Sequence, residues 1–214
     1  MKTIIYKQQE LTPDILFKLS RKIVKGKIII FKTETVYGIG TNAYNKEACK
    51  KIFEIKRRSF NRPLLVLISN YTMLNKVAKQ PNQIEQKLMD TFWPGPLTII
   101  LHRKDKDRVF KSTELIGDEI AIRMIDEPFL NTLLQYTKVP LVAPSANITG
   151  QKTGTKIENI IYDFNNKVDY IIDCGNIENS ISSTIVKVED NKIYIQREGR
   201  ISKEELQTIA LIKE

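Results

Sequence analysis

The sequence predicts one α/β (α+β) domain covering residues 1–214, built as a twisted mixed β-sheet flanked by helices. Three observations carry that expectation. A chain of 214 residues has the length of one large domain and can bury a core without disulfide or metal staples. Short β-prone runs alternate along it with segments of helical periodicity. No internal repeat, Gly/Ser linker or low-complexity tract divides it.

Residues 3–6 form a short β-prone run. Thr12, Pro13 and Asp14 read as a cap and a first-turn proline, ahead of a helix whose Ile15, Leu19 and Ile23 share a face. Residues 28–31 are continuously apolar and mostly β-branched, hence a buried strand. Asn45 caps a helix carrying Ala48, Ile52 and Ile55, and residues 64–68 form another buried strand. A helix with Ile84, Leu88 and Phe92 follows Pro81 and stops at Trp93-Pro94-Gly95-Pro96, where two prolines break it. Strands are expected at 97–101 and 120–124. Pro128 opens a helix with Leu130, Leu133 and Leu134, and residues 141–143 form a short strand ending at Pro144. Thr155 and Glu158 make a capping-box pattern ahead of Ile160 and Ile161. Strands at 170–172, 183–188 and 193–196 follow, the last two joined by a turn at 189–192. Ser202 and Glu205 repeat the capping box before a last helix through Leu206, Ile209 and Ala210.

Hydrophobic residues at 42% and charged residues at 28% exclude a disordered chain. Two cysteines, Cys49 and Cys174, with the single histidine His102, exclude a zinc-type cluster. Unpaired cysteines fit a reducing compartment, so the expected location is the cytoplasm. The N-terminus turns polar at Lys7 and lacks a signal-peptide apolar region, and the apolar runs are too short to cross a bilayer. No membrane partner is expected. The net charge of +9, from 34 Lys+Arg against 25 Asp+Glu, favours nucleotides, nucleic acid or an anionic surface. It fits a solvated basic surface equally well.

Three segments carry candidate chemistry. Thr33-Glu34-Thr35-Val36-Tyr37-Gly38-Ile39-Gly40 follows a buried strand, where open α/β sheets bind ligands. Its hydroxyls suit an anion or an amino-acid headgroup; the alternative is a capped loop whose glycines serve a turn. Lys56-Arg57-Arg58 with Arg62-Pro63 is the densest positive cluster. In an extended segment Lys56 and Arg58 point to one side and can clamp a triphosphate. The alternative is a helix C-terminus favouring cations through its dipole, worth about 0.3–1 kcal/mol. Ser145-Ala146-Asn147 again follows a strand and presents a hydroxyl and an amide two residues apart; the alternative is an Asx or Ser turn. His102 enters a charged loop spanning 103–111, expected to be solvated, and no nucleophile-elbow motif pairs with it.

Several short motifs occur in order: Thr33-Glu34-Thr35-Val36-Tyr37-Gly38, Lys56-x-Arg58, Pro63-Leu64, Trp93-Pro94-Gly95-Pro96-Leu97-Thr98, Ala121-Ile122-Arg123, Ala143-Pro144-Ser145-Ala146-Asn147 with Gly150, and Ser183-Thr184. Together they resemble the YrdC-like family, the threonylcarbamoyl-AMP synthases of tRNA modification, in its single-domain form, over about residues 7–200. The resemblance implies a basic concave face on the sheet. It implies a nucleotidyltransferase reaction in which L-threonine, bicarbonate and ATP give threonylcarbamoyl-AMP and pyrophosphate. It implies Mg²⁺ bound with ATP instead of by a protein metal site, downstream threonylcarbamoyl transferase proteins as partners, and tRNA as a further one. Thr35, Arg123, Ala143 (through its backbone) and Ser183 are implied around threonine. Lys56, Arg58, Ser145 and Asn147 are implied as the catalytic group around the phosphates and carbamate, with Arg62, Thr153 and Arg197 also touching ATP. Two positions depart from the family pattern: Leu67, where a histidine near threonine is frequent, and Glu119, where a threonine near ATP is common. The alternatives are an RNA-binding module of the same fold, or carbamoylation of a different acceptor. RNA binding would place aromatics among the basic residues, and the Lys56–Arg62 cluster holds Phe60.

Overall fold

The computed structural model describes residues 2–112, 118–151, 154–178 and 180–213. The strands among them are β1 (Ile4–Lys7), β2 (Ile29–Lys32), β3 (Tyr37–Asn42), β4 (Val66–Ile68), β5 (Leu97–His102), β6 (Glu119–Met124), β7 (Leu141–Val142), β8 (Tyr170–Asp173), β9 (Thr184–Glu189), β10 (Lys192–Arg197) and β11 (Ile212–Lys213). They line up as β1-β8-β2-β3-β7-β4-β6-β5-β9-β10-β11. The sheet is mixed: β4 runs parallel to β6, while β3 and β4 are both antiparallel to β7. The helices are α1 (Pro13–Val24), α2 (Lys46–Lys56), α3 (Tyr71–Val77), α4 (Gln83–Phe92), α5 (Pro128–Thr137), α6 (Ile157–Phe164) and α7 (Lys203–Gln207).

Two apolar clusters cover opposite faces. In β2, Ile30 joins the cluster containing Ile52, Ile99, Ile122 and Val186, whereas Ile29 and Phe31 join the one containing Leu67, Leu133 and Leu141. The run at 28–31 is therefore buried on both sides, as its unbroken hydrophobicity requires. The second cluster is made by Leu16, Leu19 and Ile23 of α1 and Leu130, Leu133 and Leu134 of α5, packed on one face of the sheet. That cover stops at β4. Beyond it, Leu97, Ile99, Ile122 and Val186 still face the first cluster, and the alternate residues Thr98, Ile100, Ala121, Arg123 and Ile185 line an open cleft. The period-two alternation of β5, β6 and β9 thus supplies core on one side and the floor of the cleft on the other.

The helix starts follow their caps. Thr12 accepts from the Ile15 N–H ahead of Pro13, Asn45 from Ala48, and Ser202 with Glu205 forms the predicted capping box. Asp190 and Asn191 take φ of 48° and 57°, closing the β9–β10 hairpin with a left-handed pair. Three expectations change. Thr155 and Glu158 make no capping box, because α6 begins one turn position later, behind Lys156, and Asn176 Oδ1 takes the Ile157 N–H from 19 residues away. The segment after His102 is anchored instead of solvated throughout: Arg103 is buried, forks onto Asp107 and donates to the Val109 carbonyl. Gly38 and Gly40 lie inside β3 and serve no turn. A Cβ on Gly40 would sit 2.7 Å from the Val142 oxygen and 2.8 Å from the Phe31 ring, so close strand approach demands glycine there.

Candidate active site

The carboxyl ends of β2 and β7 meet at one edge of the cleft. After β2, Thr33 Oγ1 accepts from the N–H groups of Thr35 and Val36 at 3.2 and 3.1 Å, and its hydroxyl reaches the Val36 carbonyl at 2.7 Å. The chain therefore turns tightly with Glu34 at its tip. The two hydroxyls lie 2.9 Å apart, close enough for either to donate to the other. Thr35 Oγ1 also receives Nη1 of Arg123 at 3.1 Å.

The Pro144–Asn147 segment is held beside β3 by Ile39 N–H to the Pro144 carbonyl at 2.9 Å and Ala146 N–H to the Tyr37 carbonyl at 2.7 Å. Ser145 Oγ donates to Asn147 Oδ1 at 2.6 Å. Behind them lies Lys56, the last residue of α2 and only 2% exposed. Its Nζ donates to the carbonyls of Ser145 and Asn147, both at 2.6 Å, and to Asn147 Oδ1 at 3.3 Å. Burial, and secondarily the nearby Arg58 charge, push its pKa down to about 8.

Lys56 and Arg58 do not share a face of an extended segment. Arg57, at φ 50°, caps α2 in the left-handed conformation, and the Arg58 N–H closes on the Phe53 carbonyl at 2.9 Å. That reversal sends Lys56 inward and Arg58 to the cleft. Arg58 is braced by the carbonyls of Arg62 and Pro63 at 3.0 and 2.9 Å. Phe60 stacks on Phe53 with ring centroids 4.5 Å apart, so the aromatic of the basic cluster is already paired.

On the floor, Arg123 is 3% exposed, and burial lowers its pKa while Glu34 opposes that effect. An arginine starts high enough to remain charged. Ser183 Oγ meets Thr98 Oγ1 at 2.9 Å and accepts from Arg197 Nη2 at 3.1 Å. Arg197 also donates twice to the Ser183 carbonyl.

The cleft has a volume of about 660 Å³, within the range of small-molecule sites. The structure brings Thr35, Arg58, Arg62, Arg123, Ala143, Ser145, Ser183 and Arg197 to its lining. Lys56 and Asn147 stand one layer behind, reaching it through Ser145. Thr153 lies outside the described residues. Leu67, which stands where the family pattern has a histidine near threonine, is fully buried in the α1–α5 cluster, and Leu65 lines the cleft instead. Glu119 is paired with Lys187 at 2.5 Å. Thr98, Asn61 and Gln196 line the cleft without having been singled out as site residues. Of these, Thr98 had a signal: it ends the Trp93–Thr98 motif and alternates with the core residues Leu97 and Ile99.

The family model Sua5_yciO_yrdC, described as Telomere recombination, matches residues 21–199. A Methanocaldococcus jannaschii protein provisionally named a threonylcarbamoyl-AMP synthase is 43% identical over 189 residues, covering 87% of this chain and 86% of that one. The Bacillus subtilis threonylcarbamoyl-AMP synthase is 35% identical over 185 residues, covering 86% of this chain and 53% of its own length. The crystal structure of Pyrococcus abyssi Sua5 complexed with L-threonine superposes with a TM-score of 0.89 at 30% identity, over 100% of this chain and 63% of that one. This chain thus spans less than two thirds of the Bacillus and Pyrococcus proteins.

Proposed function

The chain belongs to the Sua5/YciO/YrdC family, and from that membership we propose that it is a nucleotidyltransferase making L-threonylcarbamoyl-AMP from L-threonine, bicarbonate and ATP. One observation carries this reading. Arg58, Arg62, Arg123 and Arg197 line the cleft, and no acidic residue is among its described lining residues. Such a wall suits a carboxylate, a carbamate and a triphosphate brought together. The likeness to a Sua5 complexed with L-threonine supports threonine as the amino acid.

Arg123 takes the threonine carboxylate with its fork, and the Thr35 hydroxyl hydrogen-bonds the substrate hydroxyl. Ala143, through its backbone, and Ser183 complete that end. The uncharged threonine amine adds to the bicarbonate carbon, and water leaves to give a carbamate. A carbamate oxygen then bonds to the α-phosphorus of ATP as the bond to the bridging oxygen breaks and pyrophosphate departs. Arg58, Arg62 and Arg197 offset charge on the phosphates, while Lys56 and Asn147 hold Ser145 in place; alignment and charge neutralisation are the main needs of this step. Thr153 keeps the ATP contact that the resemblance implies.

Mg²⁺ enters as part of the substrate, on the ATP phosphates. The donor set does not fit a resident metal: among the described residues no three His, Cys, Asp or Glu side chains cluster to hold one. The product, a mixed anhydride, is handed to threonylcarbamoyl transferase proteins that modify tRNA in the cytoplasm. Among the described residues no helix is long and apolar enough to cross a membrane. An RNA-binding role is less favoured, because Arg123 is recessed and Phe60 is already stacked. Pyrophosphate release from ATP that requires both threonine and bicarbonate tests the proposal; release that ignores threonine overturns it.

A further inference from the structure

We propose that Glu34 is a positioning residue that sets amino-acid recognition by acting through Arg123. The inference rests on the synthase reading and names a selectivity determinant of the same site. Glu34 Oε1 lies 3.6 Å from Arg123 Nε, with the two side chains 14% and 3% exposed. This is an ion pair without a hydrogen bond. Neither Glu34 oxygen nor Arg123 Nε has a hydrogen-bond partner, and all three atoms are buried. Buried polar atoms are nearly always paired, so three unpaired ones in a single contact call for a reason.

The placement of Glu34 is built from both sides. Thr33 Oγ1 closes the turn beneath it, and Arg200 Nη1 donates to the Glu34 carbonyl at 2.7 Å. Arg123 is fixed in β6, in register with Leu67 of the neighbouring strand. The pair cannot be a chance meeting of two long surface side chains.

Its effect is to divide the edges of the guanidinium. Arginine carries five N–H donors in a rigid fork. Thr35 takes one through Nη1, and Glu34 attracts the Nε side without taking any. The remaining donors stay available for a carboxylate in the cleft. Glu34 also offsets the Arg123 charge while Arg197 adds to the local positive field. A half-neutralised arginine holds a singly charged carboxylate yet competes poorly for a triphosphate. Glu34 therefore reserves the Arg123 end of the cleft for the amino acid.

Calorimetric titration without ATP, comparing L-threonine with L-threoninamide, tests this on the full chain. The amide keeps the side chain and amine but lacks the carboxylate. The wild-type protein is expected to prefer threonine strongly, and Glu34→Gln, a near-isosteric change that returns the full charge to Arg123, to lower the affinity for threonine relative to inorganic triphosphate by roughly tenfold. Turnover should show the same split, with KM for threonine raised more than kcat is lowered. Inorganic triphosphate should inhibit threonine binding more strongly in Glu34→Gln than in wild type. Should Glu34→Gln fail to fold, Glu34→Asp, which withdraws the carboxylate by one methylene, is expected to show the same loss. Unchanged discrimination in a folded variant overturns the inference while leaving the synthase reading intact. A wild-type protein that releases no threonine-dependent pyrophosphate overturns the synthase reading. A wild-type protein that does not distinguish threonine from threoninamide overturns both.

Discussion

The Lys56 ammonium at the end of α2 lies 2.6 Å from the Ser145 carbonyl, tying a helix terminus to a loop 89 residues further along the chain. With the Asn147 carbonyl and Oδ1 it has three acceptors for three N–H donors. A basic residue that reads in sequence as a phosphate clamp is satisfied by protein oxygens, and Arg58 is the member of the motif that lines the cleft.

Lys56→Met should therefore cost stability as well as activity. Removing the ammonium leaves buried carbonyl oxygens without their donor, at about 1–3 kcal/mol. Catalytic efficiency should fall by roughly tenfold to a hundredfold as Ser145 loses its support. Urea denaturation and synthase kinetics on the same preparation check both.

Stability should also carry the signature of that ammonium in its pH dependence. The folded-state pKa of Lys56 is pushed from 10.5 to about 8, so between those values the unfolded chain binds more protons than the folded one. Folding stability contributed by this group thus rises with pH across that window, with a limiting slope of ~1.4 kcal/mol per pH unit. Below about pH 8 the full burial penalty is present. Wild type measured against Lys56→Met from pH 7 upward should diverge in favour of wild type; parallel curves would contradict the assignment.

In the proposed site the Thr35 hydroxyl meets the substrate hydroxyl as donor or acceptor. Valine, which has no side-chain oxygen, should be used less well than threonine by about a hundredfold or more, because a site built to hydrogen-bond a hydroxyl rejects an analogue lacking it. Serine, lacking only a methyl, should lose less. Competition assays at fixed ATP and bicarbonate rank the three.

The two thiols should be dispensable. Burial pushes Cys49 up to about 12 and Cys174 up to about 11, leaving little thiolate near neutral pH. The double serine variant should keep its turnover, with some stability lost at the fully buried Cys49. Inactivation of a folded double variant would show thiol chemistry at work.

Much of this architecture was legible in the sequence because its signals are local. The β-branched run of β2, the caps at Thr12, Asn45 and Ser202, and the turn at Asp190-Asn191 are each decided within a few residues. The motif residues Thr35, Arg58, Arg123 and Ser183 were likewise readable, and they converge on one cleft. What escaped depends on distant partners. Asn176 caps α6 from across the chain, so the local Thr155–Glu158 pattern misleads. The inward turn of Lys56 follows from a left-handed Arg57, a conformation no glycine announces. Whether Leu67 meets ligand or core depends on where α1 and α5 stop covering the sheet, which periodicity within β4 does not encode. The role of Glu34 needed the Arg123 side chain beside it.

The most direct test of the central claim follows the carbon of bicarbonate. The protein is incubated with ATP, Mg²⁺, L-threonine and labelled bicarbonate, and the nucleotide products are separated. The account predicts label in a threonine-containing AMP anhydride, formed one for one with pyrophosphate, and its loss in Arg123→Ala. Pyrophosphate formed without label entering a nucleotide, or label incorporated without threonine, would contradict it.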